Sequence, residues 1–216
     1  MKRFLIIDKY NTAYDWGLLL TAKTVGDPEV KTNYIELDGA SGSIDLTEAL
    51  TGDVPYTDRT LAASFSMSDG TVQERGAVLQ DIRAALHGRK VRIVEPDDPE
   101  HFLLGRVLIR GSTNTHSLST LDIEAVCDPW RYAVNESERR VEPKGHTDVV
   151  ICNAGTKTVT PVITVSGTVN VTFNGLTTTL TDGSYTVSDI RLKPGANVIG
   201  VAGTGVVVFK YREAVV

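Results

Sequence analysis

Residues able to do chemistry are few in this chain, and their spacing decides what they could do. Gly39 and Gly42 stand in "ELDGASGSIDLTEALTG" (residues 36–52), between an extended run and a Ser/Thr-rich segment. A phosphate cradle of the G-x-x-x-x-G-K-[ST] type needs a lysine after its last glycine and a helix directly behind a buried strand. Neither is present, so the stretch reads as a shaped connection. Glu95, Asp97, Asp98 and Glu100 gather four carboxylates, but calcium loops alternate their ligands around a central glycine. Here Pro96 and Pro99 stiffen the segment, which reads as a solvated hairpin tip. The four histidines, His87, His101, His116 and His146, lack the i,i+4 pairing of a zinc helix. No G-x-S-x-G elbow presents a serine nucleophile. Cys127 and Cys152 have no histidine beside them; each lies in a strand-like alternation, where cysteine behaves as a small buried apolar residue. Trp16 and Trp130 could stack on sugars, yet both border apolar strand sequence, which favours core or interface packing. The expectation is therefore no catalytic set, no cofactor and no metal.

The bulk composition agrees with a protein that works through its surfaces. With 216 residues the chain can bury a real core in one large or two smaller domains. Its formal charge of −5 argues against a general nucleic-acid binder, which neutralises phosphates with cations. The first apolar run, Phe4 to Ile7, is broken by Asp8 and is too short for a signal-peptide core or a membrane span. Two cysteines are too few for a disulfide framework, and folding in a reducing cytoplasm is expected.

Most of the chain reads as strand. "WGLLLTA" (16–22) is an apolar run after the polar turn "KYNTAYD". In "RTLAASFSM" (59–67), Leu61, Ala63, Phe65 and Met67 alternate with smaller polar residues, as on a strand with one buried face. One helix follows: Thr71 and Glu74 make a capping-box pattern, Val72, Gly76, Leu79, Ile82 and Leu86 recur at helical spacing, and Gly88 supplies a stop. "EPDDPE" turns the chain between two strands, and "LSTLDIEAVCD" places Leu121, Ile123, Ala125 and Cys127 on one side. "NESERRVEPKGH" is charged and aperiodic and reads as a linker, putting a domain boundary between residues 134 and 135. Beyond it lie short strands rich in Val, Thr and Gly, with Asn174-Gly175 as a strong hairpin turn and Asp182-Gly183 as a second. The fold class is mainly β: a sandwich-like N-terminal domain (1–134) with one helix, then a small C-terminal β-sandwich (135–216).

Taken in order, these segments resemble the distal tail proteins of long-tailed phages and prophages of Gram-positive hosts. The resemblance rests on the aromatic turn before "WGLLL", on "LDGASGSIDLTEALTGDVPYTDRTLAASF" with its G-x-x-D-L-T-E-x-L and Y-x-x-R patterns, on "LHGRKVRIVEPDDPEHFLLGRV", and on "LDIEAVCDPWRY". It continues through "TFNG", "YTVSDIRLKPGANVI" and "FKYRE", so it covers nearly the whole chain; "HFL" (101–103) is less aromatic than the family's usual run. It implies a non-enzymatic, homo-hexameric ring in the virion tail tip, assembled in the bacterial cytoplasm. That ring would join the tail tube protein to the hub protein and the receptor-binding or baseplate proteins, with DNA only as cargo. A galectin-like C-terminal sandwich would project outward. Competing readings are a tube protein or tail terminator, a carbohydrate-binding adhesion module, and a hydrolase whose residues meet only in space. A ring subunit needs a head-to-tail contact that closes after a fixed rotation. The loop 39–50 is expected at or near that contact, or on the ring face that meets the tube: Gly39 and Gly42 let it follow a neighbour's surface, and Ile44, Leu46 and Leu50 supply apolar contact.

Overall fold

The computed structural model describes residues 3–39 and 41–216; Met1 and Lys2 before the first apolar run, and Ala40 inside the glycine loop, lie outside the described residues. The chain is mainly β and divides into two units. One runs to Arg131 and also takes in Val216; the other spans Tyr132–Val215.

In the first unit the elements are β1 (Ile6–Ile7), β2 (Tyr10–Asn11), α1 (Thr12–Trp16), β3 (Leu19–Val25), β4 (Tyr34–Glu36), β5 (Ser43–Asp45), β6 (Arg59–Met67), α2 (Val72–Leu86), β7 (Lys90–Glu95), β8 (Asp98–Asn114) and β9 (Ser119–Ala133). Seven strands of this unit lie side by side in one curled sheet of eight, in the order β2-β1-β7-β8-β9-β6-β3. Its centre is the antiparallel pair β6–β9, where Leu61 lies opposite Ala125 and Phe65 opposite Leu121. A strand repeats every two residues, so this register sends both alternating apolar sets to one face. All of them are buried, and Leu79, Ile82 and Leu86 of α2 pack into the same core. The capping box forms as read: the Glu74 N–H donates to the Thr71 hydroxyl and the Thr71 N–H to the Glu74 carboxylate. Gly88, at φ +77°, turns the chain out of α2 in a conformation that suits glycine.

Two local expectations are corrected here. The polar turn before "WGLLL" contains α1, because the Asn11 side chain accepts from the Ala13 and Tyr14 amides and Gly17, at φ 65°, closes the C-terminus. Strand β3 consequently starts at Leu19, after Trp16. Glu95, read as part of a solvated tip, is only 5% exposed and is held between Lys23 and Arg131.

The second unit contains β10 (Ser137–Val141), β11 (Gly145–Asn153), β12 (Val162–Phe173), β13 (Leu176–Leu180), β14 (Gly183–Thr186) and β15 (Gly195–Tyr211). The two long strands β12 and β15 pair along their length, and one sheet becomes two layers by folding across them. Gly167 lies opposite Gly205, and Gly203 opposite Val169. At this crease Gly167, Gly203 and Gly205 adopt φ between 108° and 127°. A Cβ on Gly205 would lie 2.0 Å from the Ser166 carbonyl oxygen, so only glycine allows the close backbone approach. On one side of the crease β11 and β13 flank the pair; on the other β10 and β14 do. Apolar residues of both halves, among them Ile151, Val171, Ile199, Ile163, Val207 and Phe209, meet in one buried cluster. This is a sandwich made by creasing a sheet.

Two readings change in this unit. The charged stretch expected to be a linker forms β10 and the start of β11. Glu138, Arg139 and Arg140 face out along an edge strand, a common device against edge-to-edge aggregation, and only Val141 is buried. Cys152 is exposed, whereas Cys127 is buried as expected. Asn174-Gly175 makes its turn with positive φ at both residues, 49° and 81°, as a type I′ hairpin requires.

Candidate functional site, an exposed arm

Strands β3 and β6 form an ordinary antiparallel hairpin, with Val25 opposite Leu61. Instead of a short turn, the chain between them leaves as an arm. Its two legs are tied by backbone bonds from the Gly26 amide to the Thr60 carbonyl, Thr57 to Glu29, and Lys31 to Pro55. Further out Leu46 donates to the Asn33 carbonyl, and β4 pairs with β5 (Ile35 opposite Ile44) as a two-stranded ribbon. Twelve residues separate Gly26 from Gly39, which fully extended would span at most roughly 40 Å.

None of the arm belongs to either hydrophobic core. From Glu29 to Leu50, every described residue except Leu46 and Thr47 is exposed. Among them are large apolar side chains: Leu50 is 95% exposed, Tyr34 56%, and Ile35, Leu37 and Ile44 about half. A lone two-stranded hairpin is marginal in water, and contiguous exposed apolar surface marks an interaction site. Of the residues singled out in the sequence, Gly39 and Gly42 turn the ribbon at φ 82° and 80°, with open space where a Cβ would stand. Ile44 sits on β5, Leu46 is half-buried at the ribbon's base, and Leu50 occupies the outer loop. All five lie on one structural feature.

The arm is also strongly acidic. Between Asp27 and Asp58 stand eight carboxylates against the single cation Lys31, a formal −7 in a chain whose total is −5, so the remainder carries +2.

Titratable groups converge elsewhere in the first unit, at the end of the curled sheet. Glu95 is held by Lys23 through one oxygen and by Arg131 at 2.7 Å through the other. Asp97 pairs with Lys23 at 3.3 Å, and Asp98 pairs with Arg131 at 3.5 Å and lies 2.8 Å from His101 Nδ1. Burial lowers the Lys23 pKa, but Glu95 and Asp97 more than offset it, and the net direction is upward. Each carboxylate in this cluster is committed to a cation, which makes it a structural knot. Among the described residues no group of three or more His, Cys, Asp or Glu side chains could hold a metal ion. Arg59 lies near this cluster, 2% exposed, with Nε and Nη2 lacking hydrogen-bond partners among the described residues. Desolvation first, then Arg131, lowers its pKa. Periodicity carried a signal for both residues. Arg59 stands in phase with Leu61 and Ala63, and Glu95 in phase with Ile93, on faces that go in.

The whole-chain architecture matches that of a solved phage protein. The crystal structure of SPP1 Dit (gp 19.1), described as a paradigm of the hub adsorption apparatus in phages infecting Gram-positive bacteria, superposes with a TM-score of 0.68 at 17% identity, covering 97% of this chain and 98% of that chain. This chain has the fold of SPP1 Dit. The likeness to Dit extends over both units and is a likeness of fold, because 17% identity carries no residue-level function. No family model matches the sequence, and no curated protein matches it either.

Proposed function

We propose that this chain is a non-catalytic structural protein of a phage or prophage tail tip, where six copies close into a ring between the tail tube and the baseplate hub. The observation that carries the proposal is the arm, which projects from a complete core, contributes no residue to either buried cluster, and presents exposed Tyr34, Ile35, Leu37, Ile44 and Leu50. Such a segment gains its stability from a neighbour, and a head-to-tail contact repeated around an axis makes a closed ring. The Dit-like fold of both units supports the same reading. In this arrangement the tube protein and the hub protein meet the two faces of the ring, the second unit carries receptor-binding or baseplate proteins, and DNA passes through as cargo. The acidic total charge suits such a channel, since neutral or acidic walls do not retain DNA.

Light scattering coupled to gel filtration tests the proposal, with and without a tail tube protein. Six copies of 23.4 kDa give about 140 kDa. A species of that mass, seen as rings by negative stain, is the expected result. A monomer that persists after addition of the tube partner would overturn the ring. Hydrogen exchange then locates the contact: amides of residues 33–50 slow on assembly, and unchanged rates there would exclude the arm.

A further inference from the structure

A second surface in the first unit is complementary to the arm. On the outer face of β7–β8–β9, Lys90 lies directly opposite Arg106, and Arg92 opposite Leu104. Like charges in direct cross-strand register destabilise a sheet unless a counter-charge intervenes. Asp128 pairs with Lys90 at 2.7 Å, and Glu124 takes both of its bonds from Arg110. Arg92 lies over the Phe102 ring, Arg106 donates to the Gly88 carbonyl, and Arg89 is exposed. None of these three arginines has a carboxylate partner among the described residues. Between the cations the strip is apolar, with half-buried Leu104 and Leu108 and Val126, which is 41% exposed.

We propose that this basic and apolar strip receives the arm of a second copy of the chain. Two complementarities carry the assignment. The arm holds a formal −7 while the rest of the molecule holds +2, and unpaired Arg92 and Arg106 are part of that excess. The ribbon also has two chemically distinct faces: Ile35 and Ile44 are paired on one, while Tyr34, Glu36 and Asp45 share the other. The face carrying Tyr34, seated with its ring on Leu104, Leu108 and Val126, turns Glu36 and Asp45 of that same face toward the flanking arginines, which satisfies both surfaces. Opposed charges steer the encounter and fix register, and the apolar contact supplies the burial. This inference rests on the ring proposal and adds the surface that the arm occupies.

The test places a photo-reactive benzoylphenylalanine at Leu37 and mixes isotopically labelled with unlabelled protein, so that only links between copies are scored. The expected product joins Leu37 to residues 89–110 or 124–128 of the other copy. Arg92→Glu with Arg106→Glu lowers its yield at least ~10-fold, as does Glu36→Lys with Asp45→Lys, and combining all four restores at least half. Thermal melting of the variants confirms that each is folded. Links between copies at any other surface, or no link at all, overturn the inference. So does an unchanged yield in the Arg92/Arg106 variant. Rings of about six copies with links elsewhere leave the ring standing without this contact.

Discussion

Glu95 is the acceptor on which two cations of the first unit depend, Lys23 from β3 and Arg131 from β9, with sequence separations of 72 and 36 residues. Removing one partner of a buried ion pair strands the other charges, at about 3–5 kcal/mol. Glu95→Gln should therefore lower the stability measured by chemical denaturation by about 3 kcal/mol. The pH course follows from the raised Lys23 pKa. A lysine raised above its ordinary 10.5 contributes fully below that value and loses its contribution as pH climbs through the native pKa. The deficit of Glu95→Gln should hold from neutral into mildly alkaline pH and narrow in strong alkali as Lys23 loses its proton; a deficit that changes between neutral and mildly alkaline pH would contradict the assignment. The two cysteines allow a second residue-scale prediction. Burial pushes the Cys127 thiol up to about 11, while Cys152 is exposed. Iodoacetamide at neutral pH should label Cys152 at least ~100-fold faster, because the thiolate is the reacting species. Equal labelling read by mass spectrometry would show that the core around Cys127 opens. Arg75 belongs with these buried charges, with five donor contacts: to Ser119 Oγ and to the carbonyls of Ser68, Gly70, Thr115 and His116. Its counterparts lie as much as 44 residues away, so nothing local distinguished it from a solvated helix arginine.

Elements whose partners are near in sequence, or whose apolar pattern is long, were legible. The nine residues of β6 and the buried odd positions of β9 follow their alternation, and α2 follows its capping box and stripe. Short elements were not. The five-residue α1 is held by caps at each end and carries no periodicity, and β10 presents charges because it is an edge. The crease of the second unit was hidden for another reason. "VSGTV" and "VAGTGV" contain common turn residues, and only the register of β12 on β15 shows that their glycines coincide. Gly205→Ala should cost at least ~3 kcal/mol, since its Cβ would be driven to 2.0 Å from a backbone oxygen at φ 127°. Gly175→Ala, also at positive φ but with nothing within 4 Å, should cost about 1 kcal/mol. Melting temperatures of the two variants separate crease from turn; similar losses would mean that the two layers tolerate sliding.

At the scale of the whole molecule, the arm is an insertion into a hairpin that does not need it. Val25 and Leu61 already pair, and the Gly26 amide already bonds the Thr60 carbonyl, so a three-residue loop, Asn-Gly followed by Arg59, could join Gly26 to Thr60 in the same register. The sequence marked residues 39–50 as the contact because glycine and exposed apolar residues coincide there. It could not show that the whole stretch 27–58 leaves the core, since its legs read as ordinary loop. Replacing residues 27–58 by Asn-Gly should cost no more than about 1.5 kcal/mol, because no residue of that stretch belongs to the buried cluster and the aromatic contact it gives up is Tyr56 edge-on to Trp130 at 5.3 Å. Circular dichroism and denaturation check this part. The same variant should fail to form any assembly, alone or with the tail tube protein, and should not enter rings of the full-length chain when mixed with them. The two results together assign the arm to association, since a segment that costs little to remove from the fold must act on something outside it. If the armless protein instead closed into rings of unchanged mass, the subunit contact would belong to the sheet edges at β3 and β2, and the arm would serve a different neighbour.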